Sequence, residues 1–454
     1  MSRRNLTLLL CAVVACFACH LRGGVSPESR YVAQAYSNIS NWALEPPPRQ
    51  ALVDGAMRGM VGVLNQQGDV HSQYIGPTRA QPFMDEMRQE FGGIGVRIRL
   101  TGDPPRLLLV GMPEPDSPAA LAGVQPNDHV LAIDSEPTAG MSMAQIIRRM
   151  RGPTGEPIVL RVLHDGETEP VDLHIVRDRI NVASVIGDRR LSDGSWRYRL
   201  DDDPRIAYLR LINFGSKTVS ELTATLDGLQ TLGMEALVLD VRENPGGALD
   251  AAIGVSDLFL PAGAPIVETR RREGLVEDSY EATGSGSQQG LPVVVLVNEN
   301  SASASEIVAA CLQDDGRAQV GGQRSFGKGT VQRLFPTESG KSYLKLTTSS
   351  YWRPSGANIH RLSDAKESDS WGVSPDPELA VKLTEDQHRE WLRWRERRDL
   401  TVFDVETGEV LSTPQIVYAP EDPEAEPPEV DPLYEDEALL RAVQHLQNQL
   451  DAGA

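Results

Sequence analysis

The chain has 454 residues, enough for roughly two to four domains, with 44 Lys and Arg against 64 Asp and Glu and a formal net charge of −20. That balance argues against a nucleic-acid partner, which needs a basic face for phosphates. Apolar residues make up 40% and aromatics only 5%, so the cores must be built from Leu, Val, Ile and Ala. The first element is a leader over residues 1–20. Arg3 and Arg4 precede the apolar run 8–18, an export-signal pattern too short to span a bilayer comfortably. Val13-Val14-Ala15-Cys16 loosely matches a lipoprotein cleavage box, and an uncut membrane anchor is the alternative. Cys11, Cys16 and Cys19 all lie there, which leaves Cys311 alone and excludes an internal disulfide in the mature fold.

Residues 26–90 read as helices with loops. Leu52, Val53, Ala56, Met57, Met60, Val61 and Leu64 form a helical stripe behind Pro46-Pro47-Pro48. Residues 91–178 read as a small β-rich module. Alternation at Ile94, Val96, Ile98 and Leu100 predicts a strand, and further strands are expected at 107–110, 130–133, 158–163 and 171–176. Ser117-Pro118 and Gly123 bracket a short helix, and 142–150 is a longer one. Residues 179–380 hold alternating strands (206–211, 236–241, 291–297) and helices (219–229, 249–260, 303–312), hence a parallel α/β core. Residues 381–454 carry a charged helix at 384–400 with Trp391 and Trp394, then an acidic Pro-rich linker at 418–437. A terminal helical stripe from Leu439 to Leu450 is expected to dock onto the body.

Three segments of the core carry chemistry. Asn298-Glu299-Asn300-Ser301-Ala302-Ser303-Ala304-Ser305-Glu306 leaves a buried strand and opens a helix, where free N–H groups can stabilise an oxyanion. Taken alone, Ser303 and Glu306 are also the capping box that any helix can use. Gly322 to Lys328 mimics the start of a P-loop, but Gly329 stands where the magnesium-holding Ser or Thr is required, and no good buried strand is read before it. Asp240-Val241-Arg242-Glu243-Asn244-Pro245-Gly246-Gly247 ends another strand with two glycines that allow close backbone approach.

In this order the three segments resemble the C-terminal processing peptidases, or tail-specific proteases: Asn-Pro-Gly-Gly after Asp-x-Arg, then Ser-Ala-Ser-Ala-Ser-Glu, then Phe-Gly-Lys-Gly with a Gln four residues after the Lys. The resemblance implies Ser303 as nucleophile, Lys328 as general base and Gln332 as the residue that orients the base. It also implies an oxyanion hole from Ala304 and either Gly246 or Gly247. The implied fold is a crotonase- or Clp-protease-like βαβ core with an inserted or preceding PDZ domain and a helical N-terminal segment. Phe91-Gly92-Gly93-Ile94-Gly95-Val96 resembles the start of the family's PDZ domain, which puts peptide binding on Gly92, Gly93, Ile94 and Gly95, with Arg151 coupling PDZ position to the site. His71-Ser72-Gln73-Tyr74 resembles a family segment with Val70 in place of Pro, and Ser355-Gly356 and Val373-Ser374-Pro375-Asp376 resemble the closing strands of the core.

The expected activity is that of a serine endopeptidase acting through an acyl-enzyme on unfolded or C-terminally tagged proteins, without metal or cofactor. An inactive PDZ scaffold is the competing reading. The expected location is exported, periplasmic or otherwise extracytoplasmic. Membrane attachment through the leader and assembly into a homo-oligomer stay open. A lysine base must be held neutral against a reference pKa of about 10.4. A Gln beside it can aim the amine without adding the negative charge that would restore its proton.

Overall fold

The computed structural model describes residues 26–453 except 89, 103, 287, 338–339, 417, 419–429 and 432–433. The leader and most of the acidic linker therefore lie outside the described residues. The chain falls into two units, Met1–Ala80 with Gln332–Thr347, and Gln81–Val331 with Thr348–Ala454.

In the first unit, Ser26 caps the helix Pro27–Trp42 and Pro48 opens Arg49–Gln66. The apolar stripe of the second helix is present, but only Val61 is buried, while Val53, Met60 and Val63 face outward. The short strand Gln73–Ile75 pairs antiparallel with residues 343–345.

The second unit is organised by one sheet. Val185–Ile186, Ile206–Leu211, Ala236–Asp240, Val293–Val297 and Gln319–Gly322 are neighbours in that order, and all but the first pair run parallel. Val293–Val297 is buried throughout, as a β-branched run covered on both faces must be. The two-residue period divides the contacts. Leu209, Leu239 and Val295 pack with Leu222, Leu226, Val255, Ile307 and Val308 on one face. Tyr208, Val238, Val294 and Leu296 pack on the other face with Ala438, Ala442, Val443 and Leu446 of the terminal helix Glu437–Gly453, which docks as expected. Gln319–Gly322 is a buried edge strand where the sequence reading found none. Its short, Gly-ended sequence carries too few apolar residues to announce it.

Asp240 and Arg242 of the Asp-x-Arg motif serve this packing. Arg242 lies between Asp240 (2.6 Å) and Asp436 (2.8 Å), and the Tyr208 hydroxyl donates to Asp240 at 2.7 Å. Arg242 also stacks on Trp391 of the helix Glu385–Leu400, whose indole N–H donates to Asp436 at 3.0 Å. Farther along that helix, Arg395 and Arg398 pair with Asp188, and Asp399 pairs with Arg210. These charges are buried or half-buried but matched, the condition under which burial is tolerated.

The β-rich module is an antiparallel sheet of Ile98–Thr101, Arg106–Leu109, His129–Ile133, Pro157–Leu163 and Val171–Val176 around Leu107, Leu109, Ile133, Ile146, Ile158 and Leu160. Its helix Met143–Met150 is capped at the carboxyl end by the buried Arg177, which donates to the carbonyls of Arg149 and Met150. The alternation at 94–100 yields a strand only from Ile98. Gly95 sits at φ +83°, which breaks extended geometry and turns 94–97 into a loop. The segments around Ser355 and Val373 are not strands either. They are loops: Trp352 forms a bridge with Asn358, the Ser325 N–H donates to the Val373 carbonyl at 3.0 Å, and the Asp376 N–H donates to the Val320 carbonyl at 2.8 Å. The antiparallel strands Pro265–Arg270 and Val276–Glu281 escaped the sequence reading because the second is mostly exposed and polar.

Candidate active site

Parallel strands deliver their carboxyl ends to one edge of a sheet, where the following turns meet. Here the turns after Asp240, Val297 and Gly322 are stitched together. Ala302 N–H and the Ser305 hydroxyl both donate to the Asn244 carbonyl, at 3.0 and 2.9 Å. The Ser301 hydroxyl donates to the Val241 carbonyl at 2.8 Å, and Phe326 N–H donates to the Ser301 carbonyl at 3.0 Å.

Ser303 caps the helix Ala304–Asp314 and is 8% exposed. Its backbone, at φ 57° and ψ −112°, lies where a side chain costs about 1–3 kcal/mol. The sharp strand-to-helix turn of a nucleophile elbow is thus present without its Gly-x-Ser-x-Gly sequence. Glu306 holds it. The carboxylate is fully buried, and its Oε2 accepts from the Ser303 and Lys328 N–H groups at 2.8 Å each. Its Oε1 accepts from the Ser325 hydroxyl and Gly327 N–H at 2.6 Å each. Burial pushes the Glu306 pKa up to about 7, against the pull of these four donors. One carboxylate thereby joins the Ser303 turn to the Lys328 loop across 25 positions of sequence. The capping box was legible; the other three donors were not. A lone Glu in the apolar helix of Ile307, Val308, Ala309, Ala310, Cys311 and Leu312 was the available signal that buried partners exist.

The two glycines differ. Gly246, at φ +99°, lies so close that a Cβ there would come within 2.9 Å of both Ser303 Cβ and Ala304 N. Its own N–H is committed to Asn244 Oδ1 at 2.8 Å. Gly247 forms a bridge with Phe214. Among the described residues, neither its N–H nor that of Ala304 is engaged. Lys328 is half-buried. Gln332 belongs to the other unit, where its amide donates to the Thr347 hydroxyl at 3.5 Å. Thr347 donates to Asp69, which also accepts from Ser72 and from His71 N–H, so the His-Ser-x-Tyr segment builds a polar cluster around Asp69. Burial opposes ionisation of Asp69, but these donors together hold its pKa below the usual range.

The β-rich module carries a groove of about 290 Å³ lined by Gly93, Ile94, Gly95, Val96, Ile147, Met150, Arg151 and Ile180, among others. The N–H groups of Ile94, Gly95 and Val96 are unengaged among the described residues. Gly92 does not line the groove. It sits in the strand Glu90–Gly93, against the Gly152 carbonyl.

Residues 205–379 match the model of peptidase family S41, and residues 110–163 match that of the PDZ domain. The chain is 39% identical over 344 residues to a carboxy-terminal-processing protease of Bartonella bacilliformis, covering 75% of this chain and 72% of the relative. It is 34% identical to a carboxyl-terminal-processing protease of Synechocystis sp., covering 63% of this chain and 62% of the relative. A carboxy-terminal processing protease of Bacillus subtilis is 31% identical, with 73% of this chain and 65% of the relative covered. The chain belongs to the carboxy-terminal processing protease family. It is a serine peptidase with a PDZ domain, and Glu114, Ile147, Met150 and Arg151 of the matched segment line the groove beside Gly93–Val96.

Proposed function

We propose that the peptidase cleaves protein substrates through an acyl-enzyme formed on Ser303, with Lys328 as base. Ser303 Oγ attacks the scissile carbonyl carbon and its proton passes to the neutral Lys328 amine. The oxyanion is held by the N–H groups of Ala304 and Gly247, while Gly246 supplies close packing rather than a donor. Lys328 then protonates the departing amine, and water hydrolyses the ester and restores the serine. The orienting role of Gln332 rests on the resemblance alone. The observation that most supports the reading is the shared Glu306 oxygen, which accepts from Ser303 and Lys328 together.

In the PDZ groove, the N–H groups of Ile94, Gly95 and Val96 receive a substrate's terminal carboxylate, and Ile147 and Met150 take its last side chain. Gly93 shapes that loop, Gly92 packs behind it, and Arg151 borders it. Unfolded or C-terminally tagged proteins are the expected substrates, met in an extracytoplasmic compartment to which the leader directs the chain. The purified chain is expected to cleave an unfolded protein, and Ser303→Ala and Lys328→Ala each to abolish cleavage, by about 10⁴-fold or more, while a C-terminal peptide still binds. Undiminished cleavage by either variant overturns the dyad.

A further inference from the structure

The helix Glu385–Leu400 lies beyond the residues matched by the peptidase model, yet it reaches the turns that carry the candidate site. His388, in its first turns, is buried, with Nε2 2.8 Å from Glu243 Oε1 and Nδ1 2.8 Å from Glu299 Oε1. A carboxylate only accepts hydrogen bonds, so both ring nitrogens must carry protons for both contacts to hold. Glu243 stands three residues before Gly246. Glu299 stands four residues before Ser303. The two turns already exchange contacts at their bases: Glu243 N–H donates to Asn298 Oδ1 at 3.0 Å, and the Asn298 and Asn300 amides donate to the Glu243 carboxylate. His388 adds a brace from a third element. That element is fixed by Trp391 against Asp436 and by Arg395 against Asp188.

We propose that His388 is a positioning residue: as an imidazolium it braces the Gly246–Gly247 turn against the Ser303 turn, and its deprotonation loosens the oxyanion donors. The inference rests on the reading of Ser303 as nucleophile. The charges around the ring favour the proton. Glu243 and Glu299 face it from the two turns. On its own helix, Glu385 and Asp386 are paired with Arg389, and Arg242 behind Trp391 is matched by Asp240 and Asp436. The hydrogen bond to Glu243 leads the causes that raise the His388 pKa from 6.5, with burial opposing. A raised basic pKa fixes the sign. The brace is complete below about 6.5 and is lost as pH rises through the higher folded value. Activity therefore gains from lysine deprotonation but loses the brace on the alkaline side.

The test is kcat and KM against pH for the full chain and two variants, together with NMR titration of the His388 ring in the Ser303→Ala background. In Glu299→Gln, the new amide donates to a neutral Nδ1 while Nε2–H still donates to Glu243, so the brace no longer needs the second proton and the alkaline decline disappears. His388→Ala is expected to lose about tenfold in kcat with little change in KM, as misplacement of a reacting group does, and to lose the alkaline decline. The ring in Ser303→Ala is expected to titrate above 6.5 and to fall when Glu299→Gln is added. A His388→Ala chain that is merely less heat-stable, with the wild-type pH profile, overturns the proposal, as does a ring that titrates at or below 6.5. Activity surviving in Ser303→Ala would refute the nucleophile instead, and the ring titration would still test the brace.

Discussion

The loop beside the PDZ groove presents the unengaged N–H groups of Ile94, Gly95 and Val96, and the Ser303 turn presents that of Ala304, but the two are held by opposite means. The PDZ loop places a glycine, Gly95, at φ +83°, where the absence of a side chain removes the strain and leaves room for Ser117. The core needs a hydroxyl at its strained position, so Ser303 sits at φ 57° at a cost of about 1–3 kcal/mol. The offset comes from outside the turn, through a buried carboxylate with four donors and a glycine pressed against the serine. A binding loop can be relaxed by composition alone. A loop that must present a nucleophile has to be braced by its neighbours.

The largest effect that would sharpen this contrast is expected from Glu306→Gln. Its amide group would face two donors with a donor of its own, which costs about 1–3 kcal/mol per unsatisfied buried group. Cleavage is expected to fall by on the order of 10²-fold or more, with a lower Tm, while PDZ peptide binding is retained. An equally active, equally stable variant would break the contrast. The same carboxylate gives a pH signature in the wild type. Burial raises its pKa from 4.5 to about 7, so its contribution to stability is greatest below 4.5 and is lost as pH rises through about 7. The ionised form is the one that accepts all four hydrogen bonds, so activity is expected to fall as pH drops through about 7 while the fold is not weakened by this group. Denaturation midpoints and cleavage rates from pH 5 to 8 would separate the two trends; parallel trends would contradict the assignment.

A smaller pair of effects should divide the two loops. Gly246→Ala puts a Cβ 2.6 Å from the Ala302 carbonyl oxygen at φ +99°, and Gly95→Ala puts one 2.3 Å from Ser117 Cβ at φ +83°. The first is expected to lower kcat and spare peptide binding. The second is expected to weaken C-terminal peptide binding and spare cleavage of a short peptide. Kinetics and titration calorimetry on both chains check this, and any exchange of phenotypes would refute the division.

Much of this was legible in the chain. The strand Val293–Val297 follows from an apolar run rich in β-branched residues and Ile206–Leu211 from a short, mostly apolar one, and Ser117 and Ser142 mark their helices by capping. Ser303 and Lys328 could be singled out by motif. Glu306 looked like an ordinary cap because its partners at 325, 327 and 328 become neighbours only when the sheet assembles. His388 sat unremarked in a charged helix, since nothing local to it signals two carboxylates from turns 145 and 89 positions away. The loop at 94–97 reads as strand because alternation persists through Gly95, whose φ of +83° and lack of room for a Cβ beside Ser117 nothing in the pattern announces.

The most direct measurement is to trap the intermediate. The full chain would be quenched during turnover of a slowly hydrolysed peptide ester, digested, and mapped by mass spectrometry. The account predicts an acyl mass on Ser303 in the wild type and none in Lys328→Ala. An acyl group on another residue, or the same yield on Ser303 without Lys328, would contradict it.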